Sequence, residues 1–334
     1  MRAVLLALLL IPHAHADSGD TLRLVRARGT LRCGVSEGIT GFSARTEAGW
    51  AGIDIDFCRA VAAAILGDPA KVQFMPLRAT ARFPALATRE IDILARNTTW
   101  TVAREAIFST IFVGALYIDS QVLIVRADGP FAHGEPLQNA RICVEKGTNQ
   151  QDTLRAYASE KNWTFTPVIA PELGTARKDF LTGLCPILTD DRSALVEMLL
   201  SVPDPSAYVI RADIISNSPL GPAVRWEDGQ WLALIRAVYA ALIDAETRGF
   251  TQAQARAFPR APTDATHRAY LAETAPLARA TGIAPTWAVQ AVAAAGNYGE
   301  IFNRNVGAAS KLKLDRGPNR PWTQGGALFA PPFE

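Results

Sequence analysis

Histidine is as scarce as cysteine in this sequence, with four of each in 334 residues. His13 and His15 sit in an N-terminal stretch that reads as a removable leader. His133 and His267 have no nucleophile motif beside them. No Ser-His-Asp, Cys-His or metal-ligand constellation occurs, so neither a metal nor any cofactor is expected. None of the four cysteines has C-x-x-C or Cys/His spacing, which speaks against zinc and redox chemistry. No block of Lys or Arg occurs either. The 34 basic and 32 acidic residues are mixed along the chain for a net charge of +2, an argument against nucleic acid or an anionic membrane as partner. Nor does any stretch approach the roughly 20 apolar residues that span a bilayer.

What is present begins with the leader. Arg2 supplies a positive start, Ala3 to Ile11 a short apolar core, and Ala14-His15-Ala16 a small-x-small cleavage site. The mature chain is expected to begin near Asp17, with no cysteine there to carry a lipid anchor. Export makes disulfides possible. Of the three pairings four cysteines allow, the favoured one joins Cys33 to Cys58 and Cys143 to Cys185, one staple in each half, with free buried thiols as the alternative. The remaining length suits two lobes of roughly 100–200 residues each.

One plan recurs in both halves. Thr30 to Val35 and Ala140 to Val144 are apolar strands running into Gly38 and Gly147-Thr148, each followed by an amphipathic helix. Along Asp56 to Leu66, Phe57, Val61 and Ile65 mark one helical face. Later, Arg82 to Leu86 leads to Ile91-Asp92-Ile93-Leu94 and Asn97-Thr98-Thr99, and Lys178 to Leu181 leads to Ile187-Leu188-Thr189 and Asp190-Asp191. Alternating strands and helices predict parallel sheets, with ligands at the carboxyl ends of strands where these polar groups fall. Tyr117 to Val125 and Ile214 to Arg225 read as extended connections between the halves. Helices are expected over Trp231 to Glu246 and Trp287 to Ala295, and a surface loop from Gly317 to Glu334.

The polar run Arg96 to Arg104 suits a small carboxylate, because Arg offers a planar fork of donors. Thr101 is placed to cap a following helix. Arg104 at the end of this run and Asp191 in the other half are a candidate cation and anion, one from each half. Asp191 has a duller reading as a helix cap, with Asp190 competing for its role.

The chain resembles the periplasmic amino-acid-binding proteins of ABC importers, solute-binding protein family 3, especially the subgroup for general or polar L-amino acids. The resemblance rests on Cys33-Gly34-Val35, Gly41-Phe42-Ser43, Gly52 to Ala60, Arg96 to Thr101, Gly147-Thr148, Pro219 to Arg225 and Gly296 to Phe302. It implies an α/β, type II two-lobed fold, each lobe a mostly parallel sheet flanked by helices, joined by two hinge strands. The expected division is residues 17–118 for the first lobe, 119–218 for the second, and 219–334 for the return to the first with its C-terminal helices and tail. It further implies a periplasmic, monomeric carrier of Glu, Gln, Asp, Asn or a broader polar set, serving membrane permease subunits. By position, Arg104 and Thr99 would hold the ligand carboxylate, joined by Thr148 and Asn149 from the second lobe. Asn97 and Asp191 would meet the ammonium, Phe42 the apolar part of the ligand, and Arg82 the side chain of an acidic ligand. Thr40, Pro186, Asp190 and Arg192 depart from the family pattern; Arg192 could pair with Asp190 or reach a ligand carboxylate. An enzyme on the same fold, like the cyclohexadienyl dehydratases, would need Asp190 or Glu145 as proton donor. A ligand-sensing module is a third reading.

Overall fold

The computed structural model describes residues 20–258 and 265–333. The leader expected over residues 1–16 and the side chain of His267 lie outside the described residues.

Two sheets organise the chain. In the first, Leu31–Val35 pairs in parallel with both Val72–Pro76 and Ile93–Leu94. Ala223–Arg225 and then Thr110–Phe112 extend it antiparallel. In the second, Ala140–Glu145 pairs in parallel with Phe165–Ala170 and with the strand Ile187–Asp191. The long strand Tyr117–Arg126 lies antiparallel beside Ile187–Asp191 and carries Tyr208–Ile210 and Ser216–Leu220 on its far edge. Each sheet therefore has a three-stranded parallel core with antiparallel strands added beside it. Leu31, Cys33 and Val35 are fully buried, as expected of a parallel strand covered on both faces.

The helix following the first strand runs Ile53–Leu66 and is buried nearly all round. It packs between the sheet and the helix Trp287–Ala295, which explains its apolar composition on every face. Gly229–Thr247 buries Leu234, Val238 and Leu242 in the same core, and Trp231 donates from its indole to the Asp92 carbonyl. Among the described residues, helices Asp20–Arg28, Gln252–Ala257, Ala265–Thr281, which contains Pro276, and Tyr298–Asn305 were not expected from the sequence, although capping boxes at Thr251/Gln254 and Asn297/Glu300 mark two of their starts.

The chain passes between the sheets at residues 113–116 and again at 221–222, and the two passages run side by side. Val113 N–H donates to the Pro222 carbonyl at 2.9 Å and Leu116 N–H to the Leu220 carbonyl at 2.8 Å. Gly221 is required here, since a Cβ would stand 1.9 Å from the Gly114 carbonyl oxygen. The tail is less loop-like than its Pro and Gly content suggests. Two short 3-10 turns, Gly317–Asn319 and Trp322–Gln324, fold it back. Asn319 then accepts from Ile118 N–H at 2.6 Å and donates to the Ile118 carbonyl at 3.0 Å. The tail thus substitutes for a strand neighbour beside one passage. Among the described residues no helix is long and apolar enough to cross a membrane.

Both favoured disulfides form. Cys33–Cys58 ties the middle strand of the first parallel core to helix Ile53–Leu66, and Cys143–Cys185 ties the middle strand of the second to the turn before Ile187–Asp191. Their sequence separations are 25 and 42 residues. Loops of that size restrict the unfolded chain enough to contribute about 3–4 kcal/mol each. Replacing Cys143 and Cys185 together by Ser is expected to lower the unfolding free energy by that amount. A denaturant melt of the variant beside the native protein measures it.

Candidate ligand-binding cleft

The carboxyl ends of both parallel cores open into one cleft. Its inner part is lined by Arg82, Asn97 and Thr99 from the first lobe, and by Thr148, Asn149 and Asp191 from the second. An outer chamber of about 380 Å³ continues from it, sharing Ile39, Arg96, Glu145 and Leu173 with the inner wall.

Arg104 begins the short helix Val102–Phe108, whose N-cap is Thr101; the Thr101 hydroxyl accepts from Arg104 N–H at 3.1 Å. One guanidinium nitrogen of Arg104 donates to the Thr99 carbonyl at 2.7 Å, and the group stands over the Phe83 ring. Burial pushes its pKa down to about 10, against the pull of Asp191, so it stays charged at neutral pH.

Asp191 closes the strand Ile187–Asp191 and stands at the N-terminus of the helix Arg192–Leu199, yet its side chain makes no capping bond. Its Oδ1 is buried with no hydrogen-bond partner. Burial, with Asp119 and Asp190 nearby, holds its pKa well above the usual carboxylate range, opposed by a hydrogen bond from Ser218 and by Arg104. Asp190 is differently employed. Its Oδ1 accepts from Gln150 Nε2 at 2.6 Å and from Asp191 N–H at 2.8 Å, leaving Oδ2 unpartnered.

Asn97 sits in the left-handed region at φ 34°, a conformation Asn tolerates. Its N–H donates to Asp54 at 2.8 Å and its side-chain oxygen is unpartnered. Burial raises Asp54 to about 7 against the Asn97 amide and Arg96. Thr148 gives its hydroxyl proton to the Glu145 carbonyl at 2.8 Å, and Asn149 stands at the N-terminus of the helix Gln150–Glu160 without a side-chain capping bond. Arg82 spans the cleft, donating to the Gly147 carbonyl at 2.8 Å and to the Thr98 hydroxyl at 3.4 Å. Gly147 lies so close to the first lobe that a Cβ would meet Thr80 at 2.8 Å.

Phe42 is 1% exposed, packed edge-on against Tyr117 in the first-lobe core, and, like Arg104, is not among the residues that line the cleft. The turn at Thr40-Gly41 directs it inward, and Ile39 supplies the apolar surface instead. Arg192 faces a separate cavity on the hinge side, with Tyr117, Asp119 and Lys313, rather than Asp190 or the ligand cleft. Asp191 ends the strand and the helix turns the next side chain to the other face. Pro186 leaves the strand intact, because Ile187 begins it directly. Thr40, another departure from the family pattern, donates to Glu197 of the second lobe at 3.2 Å. Sequence reasoning did not assign Ile39 to the site, and it placed Arg96 in the carboxylate-suited polar run without giving it a ligand role of its own.

Residues 31–199 match the family model described as bacterial extracellular solute-binding proteins, family 3. A general L-amino acid-binding periplasmic protein of Rhizobium johnstonii is 40% identical, over 99% of this chain and 98% of its own. A glutamate/glutamine/aspartate/asparagine-binding protein of Rhodobacter capsulatus is 39% identical, over 96% of this chain and 95% of its own. Among solved structures, a periplasmic binding protein of an ABC transporter from Brucella ovis, with glutathione bound, superposes with a TM-score of 0.87. It is 37% identical and covers 96% of this chain and all of its own.

The buried carboxyls set a pH dependence of stability. Asp54, Asp119, Asp190 and Asp191 all have folded pKa values raised above 3.8, chiefly by burial. Below their folded pKa values the folded protein holds protons that the unfolded chain releases above 3.8. The resulting stability is therefore lost as pH rises, and for Asp54 the window runs from about 3.8 to about 7. Ligand-free protein is expected to melt at a higher temperature at pH 5.5 than at pH 8, as calorimetry would show.

Proposed function

The chain belongs to family 3 of the bacterial extracellular solute-binding proteins, and from that premise we propose that it carries a polar L-amino acid to an ABC permease. The ligand is held in the inter-lobe cleft. Arg104 from the first lobe takes the α-carboxylate and Asp191 from the second takes the α-ammonium. The observation that carries this reading is the state of Asp191: a buried carboxylate beside a helix N-terminus that caps nothing, keeps one oxygen free and feels Arg104 across the cleft. Such a group is costly unless a cation arrives, and an amino acid brings one together with the anion Arg104 lacks.

The remaining assignments follow from placement. Thr99, Thr148 and Asn149 line the wall around the carboxylate, and Asn97 offers its unpartnered oxygen to the ammonium. Arg82 contributes by holding the lobes together at Gly147. The division at residues 118 and 218, the leader over 1–16, a periplasmic mature chain without lipid anchor, and a monomeric state belong to the same reading. The protein acts as a carrier without turnover. A dehydratase would need Asp190 or Glu145 as its proton donor; Asp190 is held at Oδ1 by Gln150 and the Asp191 amide, and Glu145 feels Arg96 and Arg82 across the cleft.

Arg104→Ala is expected to keep its fold and lose amino-acid binding. Truncating one member of a buried charge pair costs about 2–5 kcal/mol, or roughly 30-fold to several thousandfold in Kd. Calorimetric titration of ligand-stripped mature protein against the L-amino acids, with prephenate included, is the test. Native affinity in the variant would remove Arg104 from its role. Consumption of prephenate with no amino acid bound would make the cleft an active site.

A further inference from the structure

A second pair of opposite charges faces across the cleft beyond the first. Arg96 follows the strand Ile93–Leu94 of the first lobe and Glu145 ends the strand Ala140–Glu145 of the second. Both line the inner cleft and the outer chamber. They sense each other electrostatically, yet no ion pair joins them within 4 Å among the described residues. Arg96 is 6% exposed and makes one side-chain hydrogen bond, from Nε to the Leu77 carbonyl at 2.7 Å. Its two terminal nitrogens have no partner among the described residues. Arg82 is tied by its terminal nitrogens to the Gly147 carbonyl and the Thr98 hydroxyl, keeps only Nε unpartnered, and lines the inner cleft but not the outer chamber. Glu145 takes a backbone hydrogen bond from Leu173, which leaves it acceptor capacity toward the cleft.

One donor group and one acceptor group, on opposite walls and kept apart, match a carboxamide. We propose, building on the amino-acid-carrier reading above, that Arg96 and Glu145 read the end of the ligand side chain. Arg96 donates to a carboxamide oxygen and Glu145 accepts from its NH₂, so that glutamine-type ligands are preferred. An acidic side chain satisfies Arg96 but sets its second oxygen against Glu145, and it is accepted well when Glu145 carries a proton. Selectivity between amide and acid then follows pH. Burial raises the Glu145 pKa, with Asp190 acting in the same direction, while Arg96, Arg82 and the Leu173 amide oppose it. Glu37, Glu172 and Arg177 are the other charged groups on the chamber wall. Glu37 and Glu172 are tied to Arg78, and Arg177 to Glu197.

The ratio of two affinities isolates this pair. Titration of Asp54, Asp119, Asp190 or Asp191 changes the pocket for L-glutamine and L-glutamate together, whereas Glu145 touches only the group by which they differ. Calorimetric Kd values for both ligands are measured from pH 5.5 to 8.5 on ligand-stripped native protein and on Glu145→Gln, with melting curves confirming that the variant folds. In the native protein, the preference for glutamine over glutamate is expected to grow by about tenfold or more as pH rises, the order of effect for a mismatched buried polar group. In Glu145→Gln the ratio becomes flat with pH and shifts toward glutamate. Binding of both ligands with a native ratio that does not change with pH, or a variant that keeps the native pH profile, overturns the proposal and leaves the carrier reading standing. Native protein that binds neither ligand overturns both.

Discussion

Charges removed from water on two facing walls dominate this structure. Arg82, Arg96 and Arg104 on one lobe, and Asp190 and Asp191 on the other, are each less than a tenth exposed. An isolated ion buried without a partner costs several kcal/mol even after the protein relaxes. Each wall places its groups at the carboxyl ends of a three-stranded parallel core. The strands Ile93–Leu94 and Ile187–Asp191 there are buried throughout, which keeps Arg96, Asp190 and Asp191 out of water. Their unsatisfied atoms, such as Asp191 Oδ1 and Asn97 Oδ1, are therefore built into the fold.

The passages between the lobes explain how the walls stay in register. Gly221 lies against the Gly114 carbonyl, and the polar run that carries Thr99 is stitched to the same place. Trp100 N–H donates to the Pro219 carbonyl at 2.7 Å and Gly221 N–H to the Thr98 carbonyl at 3.0 Å. Thr99, whose carbonyl fixes Arg104, thus belongs mechanically to the hinge. Asn319 pins Ile118 from the tail on the side of the first passage. A displacement at either passage moves Arg104 with it.

Much of this was legible in the sequence where local pattern and tertiary environment agree. The repeated strand-glycine-helix plan, the face of Gly229–Thr247 and the helix Trp287–Ala295 all follow from apolar spacing, because one-sided burial imposes that spacing. The two disulfides were legible because each closes a short loop inside one lobe. Legibility failed where a turn decides which way a side chain points. Phe42 was placed at the ligand by the family resemblance, but the turn before it sends it into the core and leaves Ile39 in the cleft. Arg192 looked like a neighbour of Asp190 by adjacency, but the start of a helix puts it on the opposite face. Arg96 belonged to the polar run suited to a carboxylate, but that it faces Glu145 depends on the second lobe, which no local pattern places. The helix Ala265–Thr281 was hidden by Pro276 and a weakly periodic surface.

The contacts that cross the cleft decide why a ligand is needed to close it. Arg78 reaches Glu172 at 3.5 Å, but both side chains are largely exposed, and such pairs contribute little. Thr40 to Glu197 adds a hydrogen bond of 3.2 Å, at about 1 kcal/mol. Arg82 to the Gly147 carbonyl is the buried contact, and it carries its own desolvation cost. Set against these, Asp191 keeps its Oδ1 unsatisfied beside Asp190 and Asp119, like charges of its own lobe, with Arg104 acting on it from the other. The protein's own cross-cleft contacts therefore offset closure only weakly. A zwitterion supplies a cation to the second lobe and an anion to the first in one molecule. In the carrier reading proposed above, a ligand that matches both walls at once is what would hold them together.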